Sequence, residues 1–379
     1  MADPVYLDFN ATAPVRPEVI AAMTEVMTAG GNPSSVHRAG RSARARVEDA
    51  RRALAALVGC KPAEIVFTSG GTEANNFALA AFANRPRFVS AIEHDSILAA
   101  APDAVRLPVD GDGLLDHAAL EAELAAAPAP AFVSVMLANN ETGVIQDIAA
   151  IAAIVHAAGG ILHTDAIQAA GKIDVDFRGL GADMISISAH KFGGPQGVGA
   201  LLIRDGLVVP PLIKGGGQEL GRRAGTENVA GIVGIGVAAR LARDGLAAYT
   251  ALGALRDQLE ARLLRASPAS RVYGARAPRL PNTTTLSMPG VPSELQVMSL
   301  DLDGIAVSAG SACSSGKVRP SHVLTAMGAA AEEAGSAIRI SLGWSTTPAD
   351  IARCAASWER LHARKSPQFG VWTEAAEQG

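Results

Sequence analysis

Short apolar runs alternate with longer alanine-rich stretches between residues 60 and 205. A short apolar run bounded by turn-forming residues is typical of a buried strand, whereas the longer stretches have helical spacing. Strands and helices that alternate in this way predict a mostly parallel sheet with helices on its faces. The predicted strands are residues 64–68, 88–90, 132–138, 160–164, 184–188 and 199–203.

The pattern changes after residue 250. Residues 251–267 predict a long helix, and the shorter apolar runs beyond it predict strands at 283–287, 305–307 and 338–342. Such a mixture is typical of a second, smaller α+β domain. We therefore predict a large α/β domain of residues 15–255 and a small domain formed by residues 1–14 and 256–379.

Composition supports a globular protein with two domains, because 379 residues are too many for one small core. The apolar content is 49% and the mean hydropathy is +0.21, which indicates extensive burial. The net charge is −4 and the charges are interspersed, so we predict no nucleic-acid partner. The longest apolar run, residues 229–239, is too short to span a bilayer, so we predict no membrane partner.

The three cysteines, Cys60, Cys313 and Cys354, form an odd and sparse set without a C-x-x-C motif. This pattern argues against a disulfide framework or a zinc site. The first residues contain no basic segment followed by an apolar one, so nothing predicts export. We expect a cytoplasmic protein.

Lys191 and Asp165 follow two of the predicted strands, at the strand ends where open α/β sheets bind ligands. An amine for a Schiff base and a carboxylate for a pyridine nitrogen are what a protein supplies to pyridoxal 5′-phosphate. Taken alone, a lysine after a strand is more often solvated, and an aspartate there is often a helix N-cap. His163 and Asp165 lack a third metal ligand nearby, so we predict no metal.

Other polar residues follow strand ends in the same way, which favours a single ligand site over separate coincidences. Gly70 and Gly71 open a predicted helix at 73–81, and the free amides of a helix start attract phosphate. We expect all these residues to gather along one edge of the sheet. The residues are Thr72, His94, Asn140, Asp165, Gln168, His190 and Lys191.

Several short motifs, each weak alone, occur in an order that makes the chain resemble the pyridoxal-phosphate-dependent cysteine desulfurases of the class V aminotransferase family. The resemblance covers nearly the whole chain. The motifs are Thr-Ser-Gly-Gly-Thr-Glu at 68–73, Glu-His at 93–94, Asn-Asn-Glu-Thr-Gly at 139–143, His-Thr-Asp-Ala-Ile-Gln at 163–168, Ser-Ala-His-Lys at 188–191, Arg-Ala-Gly-Thr at 223–226, Ser-Ala-Gly-Ser-Ala-Cys at 308–313 and Arg-Ile-Ser-Leu-Gly at 339–343.

The resemblance implies the fold type I architecture of such transferases, with a mostly parallel seven-stranded sheet flanked by helices and a smaller α+β domain. It implies that Lys191 bonds to the cofactor and transfers protons, and that Asp165 keeps the pyridine nitrogen protonated. Gln168 is expected to hydrogen-bond the ring oxygen. His94 is expected to stack on the ring and shuttle protons.

The resemblance also implies binding roles for the remaining motif residues. Asn140 is expected beside the cofactor and, with Arg339, to position L-cysteine, whose carboxylate Arg339 grips bidentately. Thr226 is expected to reach the phosphate of the other subunit, which implies a homodimer. The expected phosphate site in one subunit consists of Gly71, Thr72, Ser188 and His190.

Cys313 lies among small residues, which are typical of a flexible loop, so we expect residues 309–317 to be mobile. From composition alone it could be an unimportant loop thiol. The resemblance implies that its thiolate attacks the sulfur of bound cysteine, which leaves a persulfide on Cys313 and releases L-alanine. The long loop resembles the family branch that delivers sulfur to iron–sulfur scaffold proteins.

Two alternatives remain open. A selenocysteine lyase, or another class V β-lyase or aminotransferase, does not depend on Cys313. A non-catalytic sulfur-carrier or assembly subunit does not need Lys191, Asp165, His94 and Cys313 together. The chain departs from the family at Ala13, and its tail after Trp358 is shorter than in desulfurases that dock a scaffold there. The sulfur acceptor, and any need for an activating partner, stay open.

Overall fold

The computed structural model describes residues 4–309 and 321–365. Seven of the strands in this part of the chain form one mostly parallel sheet, which confirms the predicted fold class. In chain order the strands are β1 (Val5–Tyr6), β2 (Ile65–Thr68), β3 (Arg87–Ser90), β4 (Val105–Leu107), β5 (Phe132–Ser134), β6 (Ile161–Asp165), β7 (Met184–Ser188), β8 (Gly199–Ile203), β9 (Thr283–Ser287), β10 (Ile305–Ala306), β11 (Ser308–Ala309) and β12 (Ala337–Ser341).

The large sheet has the strand order β2-β8-β7-β6-β5-β3-β4. Strand β8 is antiparallel to both of its neighbours, whereas β7, β6, β5, β3 and β4 pair in parallel. All residues of β5, β6, β7 and β8 are buried, as expected for a sheet covered by helices on both faces. The carboxyl ends of the parallel strands therefore meet along one edge.

Helices cover this sheet and form much of the rest of the described chain. Local signals set several of their ends: the Asp147 side chain accepts the Ala150 N–H at the start of α6, and Gly59 adopts the left-handed conformation after α2. The helices are α1 (Pro17–Ala29), α2 (Arg38–Val58), α3 (Gly71–Ala81), α4 (Asp95–Leu98), α5 (His117–Ala126), α6 (Ile148–Ala157), α7 (Phe177–Leu180), α8 (Val229–Asp244), α9 (Leu246–Thr250), α10 (Leu252–Ala266), α11 (Ser293–Leu302), α12 (His322–Ala326), α13 (Ala331–Gly335) and α14 (Pro348–Lys365).

A second apolar cluster lies apart from the one around the large sheet. In it Leu7 packs with residues from the C-terminal third, including Leu259, Ile340 and Trp358. Two small sheets belong to this region: β1 pairs in parallel with β10, and β11, β12 and β9 form an antiparallel sheet. The N-terminal strand thus joins the C-terminal part of the chain. The domain boundaries themselves stay a prediction.

All but one of the predicted strands agree with the observed ones to within one residue at each end. The strand predicted at 132–138 ends at Ser134, because Met136 donates its backbone N–H to the Glu93 carboxylate instead of to a strand. Strand β4 was not predicted, since it is a short edge strand with two exposed residues and lacks an apolar run.

The helices among residues 4–309 and 321–365 include none with the length and apolar character that a membrane span requires.

Candidate active site

A cavity of about 430 Å³ lies at the carboxyl ends of the parallel strands. It brings together nearly all the residues that the sequence predicted for the site. Further lining residues come from the N-terminal segment and from β11, including Asp8, Asn10 and Ser308. The predicted residues that line it are Gly71, Thr72, His94, Asn140, Asp165, Gln168, Ser188, His190, Lys191 and Arg339.

Lys191 lies in a short 3₁₀ turn that directly follows β7. Its Nζ donates hydrogen bonds to the backbone oxygens of Asn10 at 2.7 Å and Ala11 at 2.8 Å. The N-terminal segment thus orients the amine within the cavity. Gly193 allows the chain to turn away immediately afterwards, because its φ of 88° is in the left-handed region that side chains rarely adopt.

Asp165, the last residue of β6, is buried at the base of the cavity. Burial raises the pKa of its carboxyl group, while hydrogen bonds from the Ile167 backbone and the Asn75 side chain and the charges of His94 and Lys191 lower it. Asn75 Nδ2 donates to Asp165 Oδ2 at 2.7 Å and Ile167 N–H donates to Oδ1 at 2.9 Å. A cation placed against this carboxylate would offset the cost of burying it.

His94 is connected to Asp165 through two polar side chains. Its Nδ1 accepts the Ser96 backbone N–H at 3.1 Å and lies 2.9 Å from Ser96 Oγ. Ser96 Oγ in turn accepts from Asn75 Nδ2 at 2.9 Å, and Asn75 Nδ2 also donates to Asp165. Because Nδ1 accepts, the proton of a neutral His94 ring resides on Nε2.

His190 occupies the end of the cavity beside Lys191. Burial lowers the pKa of His190 to about 4, and the positive charges of Lys191 and Lys172 contribute. The ring is therefore neutral near pH 7, with one nitrogen that donates a hydrogen bond and one that accepts. Its Nδ1 lies 3.1 Å from Thr12 Oγ1, so the N-terminal segment also orients this ring.

Helix α3 begins at the rim of the cavity, and no side chain caps its first turn. Free backbone N–H groups at a helix start form an anion site, and Thr72 and Ser188 add hydroxyl groups beside it. Gly71 packs closely against Ile167, since a Cβ there would lie 2.1 Å from Ile167 Cδ1 and that side chain would have to move. These residues have the chemistry and the close packing that a phosphate group requires.

Arg339 reaches the cavity from β12, in the small antiparallel sheet. Its Nη2 donates to Asp8 Oδ1 at 2.8 Å and its Nη1 donates to the backbone oxygen of Asn140 at 3.1 Å. The buried Nε has no hydrogen-bond partner. A guanidinium oriented in this way, with donors left over, fits a carboxylate.

Two predicted residues are not part of the cavity. Thr226 is exposed and lines a separate depression with residues such as Ser69 and Asn228. Within a single chain it therefore does not line the same cavity as Lys191. Cys313 lies outside the described residues. The expected mobility of 309–317 also falls there, except for Ala309 in β11.

A larger cavity of about 590 Å³ lies elsewhere, around Arg51 and Glu219. These two side chains form a buried bidentate ion pair at 2.9 Å, and Glu219 also accepts the Phe67 N–H. Glu219 and Leu220 have positive φ angles of 47° and 57°, so the ion pair holds a strained turn. Because the charges neutralise each other and no lysine is present, we do not assign the chemistry to this cavity.

Sequence reasoning missed the residues that support the predicted ones. Asn10 was not predicted to belong to the site, although its backbone oxygen accepts from both Lys191 and Gln168. The link through Asn75 and Ser96 was not predicted either. One signal was available for Ser96: it lies two residues after His94, the spacing of a local side-chain cap.

Comparisons with known proteins agree with this geometry. Residues 5–354 match the family model described as Aminotransferase class-V. A cysteine desulfurase of Cereibacter sphaeroides is 47% identical over 364 residues, covering 92% of this chain and 93% of the relative. The solved NifS-like protein of Rickettsia africae is 38% identical with a TM-score of 0.88, covering 95% of this chain and 99% of that one.

A further solved structure, of SspA in complex with cysteine, is 30% identical with a TM-score of 0.76 and covers 89% of this chain and 98% of that one.

Proposed function

The chain belongs to the class V aminotransferase family and is a cysteine desulfurase, and we propose that the cavity around Lys191 is its active site. The observation that carries this assignment is the juxtaposition of a lysine amine, a buried carboxylate and an oriented arginine in one cavity. The alanine-forming reaction needs all three functions: an amine that bonds and moves protons, an acid that holds a cation, and a grip on the substrate carboxylate.

We propose that this cavity holds pyridoxal 5′-phosphate, on which members of the family depend. The observed residues fit each part of that group: the uncapped start of α3 with Thr72 and Ser188 fits the phosphate, and buried Asp165 fits a protonated ring nitrogen. Gln168 lines the cavity and presents an amide donor. When bound, the cofactor supplies an electron sink for the pair left at Cα after deprotonation.

The side chains around the substrate then have separate tasks. Arg339 binds the carboxylate of L-cysteine, with Asn140 beside it. The Lys191 amine removes the Cα proton and later returns a proton. His94, whose Nδ1 is occupied by the Ser96 N–H, donates a hydrogen bond from Nε2 to the reacting groups. The similarity to SspA, solved in complex with cysteine, supports L-cysteine as the substrate.

We assign the sulfur chemistry to Cys313. Its thiolate attacks the sulfur of the substrate, so an S–S bond forms while the bond between sulfur and Cβ breaks. The carbon skeleton takes up protons and leaves as L-alanine, and the persulfide on Cys313 passes its outer sulfur to an acceptor. We propose an acceptor protein such as an iron–sulfur scaffold, and a cytoplasmic location consistent with the sparse cysteines.

Turnover of L-cysteine tests this function. Protein purified with its cofactor and given L-cysteine with a thiol reductant is expected to release sulfide and L-alanine in equal amounts. L-selenocysteine serves as the comparison substrate, because a selenocysteine lyase prefers it and works without Cys313. Pyruvate, or an amino-group transfer to a keto acid, in place of alanine would instead identify a β-lyase or an aminotransferase.

We propose further that the enzyme works as a homodimer in which Thr226 completes the phosphate site of the other subunit. Its exposure and its distance from the Lys191 cavity in one chain support this. The active site also joins the two proposed domains, residues 15–255 and residues 1–14 with 256–379, because Arg339, which is paired with Asp8, donates to the Asn140 backbone oxygen.

A mixed dimer tests the role of Thr226. Thr226→Val removes one charge-assisted hydrogen bond to the phosphate, which corresponds to roughly ten- to hundredfold weaker cofactor binding. A dimer of one Thr226→Val chain and one Lys191→Ala chain has one site with both Lys191 and a neighbour's Thr226, so it is expected to recover about half of the wild-type activity. If the mixed dimer stays as weak as the Thr226→Val homodimer, or if light scattering shows an active monomer, Thr226 does not act across subunits.

A further inference from the structure

Lys172 is a buried lysine for which the proposed reaction has no direct use. Among the lysines of residues 4–309 and 321–365 it alone is fully buried, whereas Lys61 and Lys214 are exposed. A buried lysine is costly unless its amine is hydrogen-bonded, so its partners indicate what it does.

The Lys172 amine has two well-formed acceptors beneath the active site. Its Nζ donates to Gln168 Oε1 at 2.6 Å and to Asn10 Oδ1 at 2.7 Å. Burial lowers the pKa of Lys172 well below its usual range, and the charges of Lys191 and Arg339 lower it further. Both the charged and the neutral amine have at least two N–H donors, so these bonds persist in either state.

The bond to Gln168 determines which way its amide points. Lys172 occupies Oε1, so the amide nitrogen must face the opposite side, where it donates to the Asn10 backbone oxygen at 2.9 Å. A flipped amide would set its N–H groups against the lysine donors. Gln168 therefore presents a donor, and not an acceptor, towards the cavity.

The bond to Asn10 stabilises the segment that holds Lys191. Asn10 also accepts from Asn282 Nδ2 at 3.1 Å and donates to Thr283 Oγ1 at 2.9 Å, so its side chain is fixed on several sides. Its backbone oxygen accepts from Lys191 at 2.7 Å and from Gln168 at 2.9 Å. Lys172 thus contacts both groups that orient the cofactor side of the cavity without lining the cavity itself.

We propose that Lys172 is a positioning residue that fixes the Gln168 amide as a hydrogen-bond donor towards the ring oxygen of the cofactor. This inference rests on the proposed function. A donor at that oxygen stabilises its negative charge most strongly once the neighbouring nitrogen linked to Lys191 has lost its proton. The donor therefore lowers the midpoint pH at which the cofactor absorption changes. If the Gln168 amide is free to flip, the donor is lost for part of the time and this midpoint pH rises.

The test is a pH titration of the cofactor absorption band in the holoenzyme. Lys172→Met keeps the side-chain length but removes the N–H donors, and it is expected to raise the midpoint by roughly half to one pH unit, the equivalent of one hydrogen bond. Gln168→Leu is expected to raise it by a similar amount. In the double variant, Lys172→Met should add little, because it acts through Gln168.

Three further measurements separate this role from others. Lys61→Met, which removes an exposed lysine, is expected to leave the midpoint unchanged. Lys172→Gln retains N–H donors and should lie close to wild type. Lys172→Leu, which also lacks N–H donors, replaces Lys172→Met if that variant does not fold. The unfolding midpoint of each apoprotein shows whether a shift merely follows lost stability.

An unchanged midpoint in Lys172→Met, or a full additional shift in the Gln168→Leu background, overturns the inference. With Lys172→Gln, a shift as large as that of Gln168→Leu also overturns it. These failures are distinct from failure of the proposed function. If the cofactor assignment is wrong, wild-type protein shows no titrating cofactor band at all. If only the desulfurase reaction is wrong, the band and its dependence on Lys172 both remain but L-cysteine gives no alanine, whereas here the band is present and only its dependence on Lys172 is missing.

Discussion

Lys191→Ala is expected to abolish desulfuration, with a rate loss of at least about a thousandfold. In the proposed mechanism the amine supplies both the bond to the cofactor and the proton transfer at Cα, and general acid–base catalysis by one group is worth roughly a hundred- to ten-thousandfold. No other described lysine can replace it, because Lys172 lies beneath the cavity and donates to Gln168 and Asn10. The rate is measured as alanine released from L-cysteine.

The covalent bond gives a second, independent measurement. Wild-type protein should be yellow, and borohydride reduction followed by peptide mapping should place the cofactor on Lys191. Lys191→Ala should be colourless after dialysis and carry no adduct. Lys214→Ala, at an exposed lysine, is the matched control and should behave as wild type. An adduct on another lysine in the wild-type protein would show that the site is assigned wrongly.

Cys313→Ser is expected to stop the reaction after substrate binding. The variant should keep its cofactor and bind L-cysteine, yet release almost no alanine, because a serine hydroxyl is a far poorer nucleophile towards sulfur than a thiolate. Substrate binding is measured as a change in the cofactor absorption spectrum, and turnover is measured as the alanine released. A variant that binds but does not turn over separates the nucleophile from the binding residues.

The other two cysteines provide the controls for this prediction. Burial raises the pKa of both Cys60 and Cys354 to about 12, so at neutral pH, well below that value, both thiols stay protonated. A protonated thiol is a weak nucleophile. Cys60→Ser and Cys354→Ala are therefore expected to retain wild-type turnover. Full desulfuration by Cys313→Ser would remove the nucleophile assignment and favour the β-lyase alternative.

Much of the site could be predicted because its residues follow strand ends. Asp165 ends the buried strand β6 and Lys191 lies in the turn after the buried strand β7, and parallel strands bring such positions together whatever the packing of their helices. The pattern of apolar residues along the sequence was therefore enough to predict that these two residues lie close together. The same pattern also predicted the bounds of strand β8 correctly.

The supporting contacts could not be predicted, because they depend on packing between distant parts of the chain. Asn10 meets Lys191 across 181 positions, and Asp8 meets Arg339 across 331. Asn75 reaches Asp165 only because α3 packs against β7 and β8, and nothing in the sequence near Asn75 indicates that contact. Short edge strands such as β4 are missed for the related reason that they bury too little apolar surface to leave a pattern.

The persulfide itself provides the most direct test of sulfur transfer to Cys313. Holoenzyme is given a limited amount of L-cysteine without reductant, and intact protein and peptide masses are recorded together with the alanine released. One extra sulfur per active subunit, located on Cys313 and matched by one alanine, is the expected result. Alanine released with no added sulfur on Cys313, or with the sulfur on Cys60 or Cys354, would contradict it.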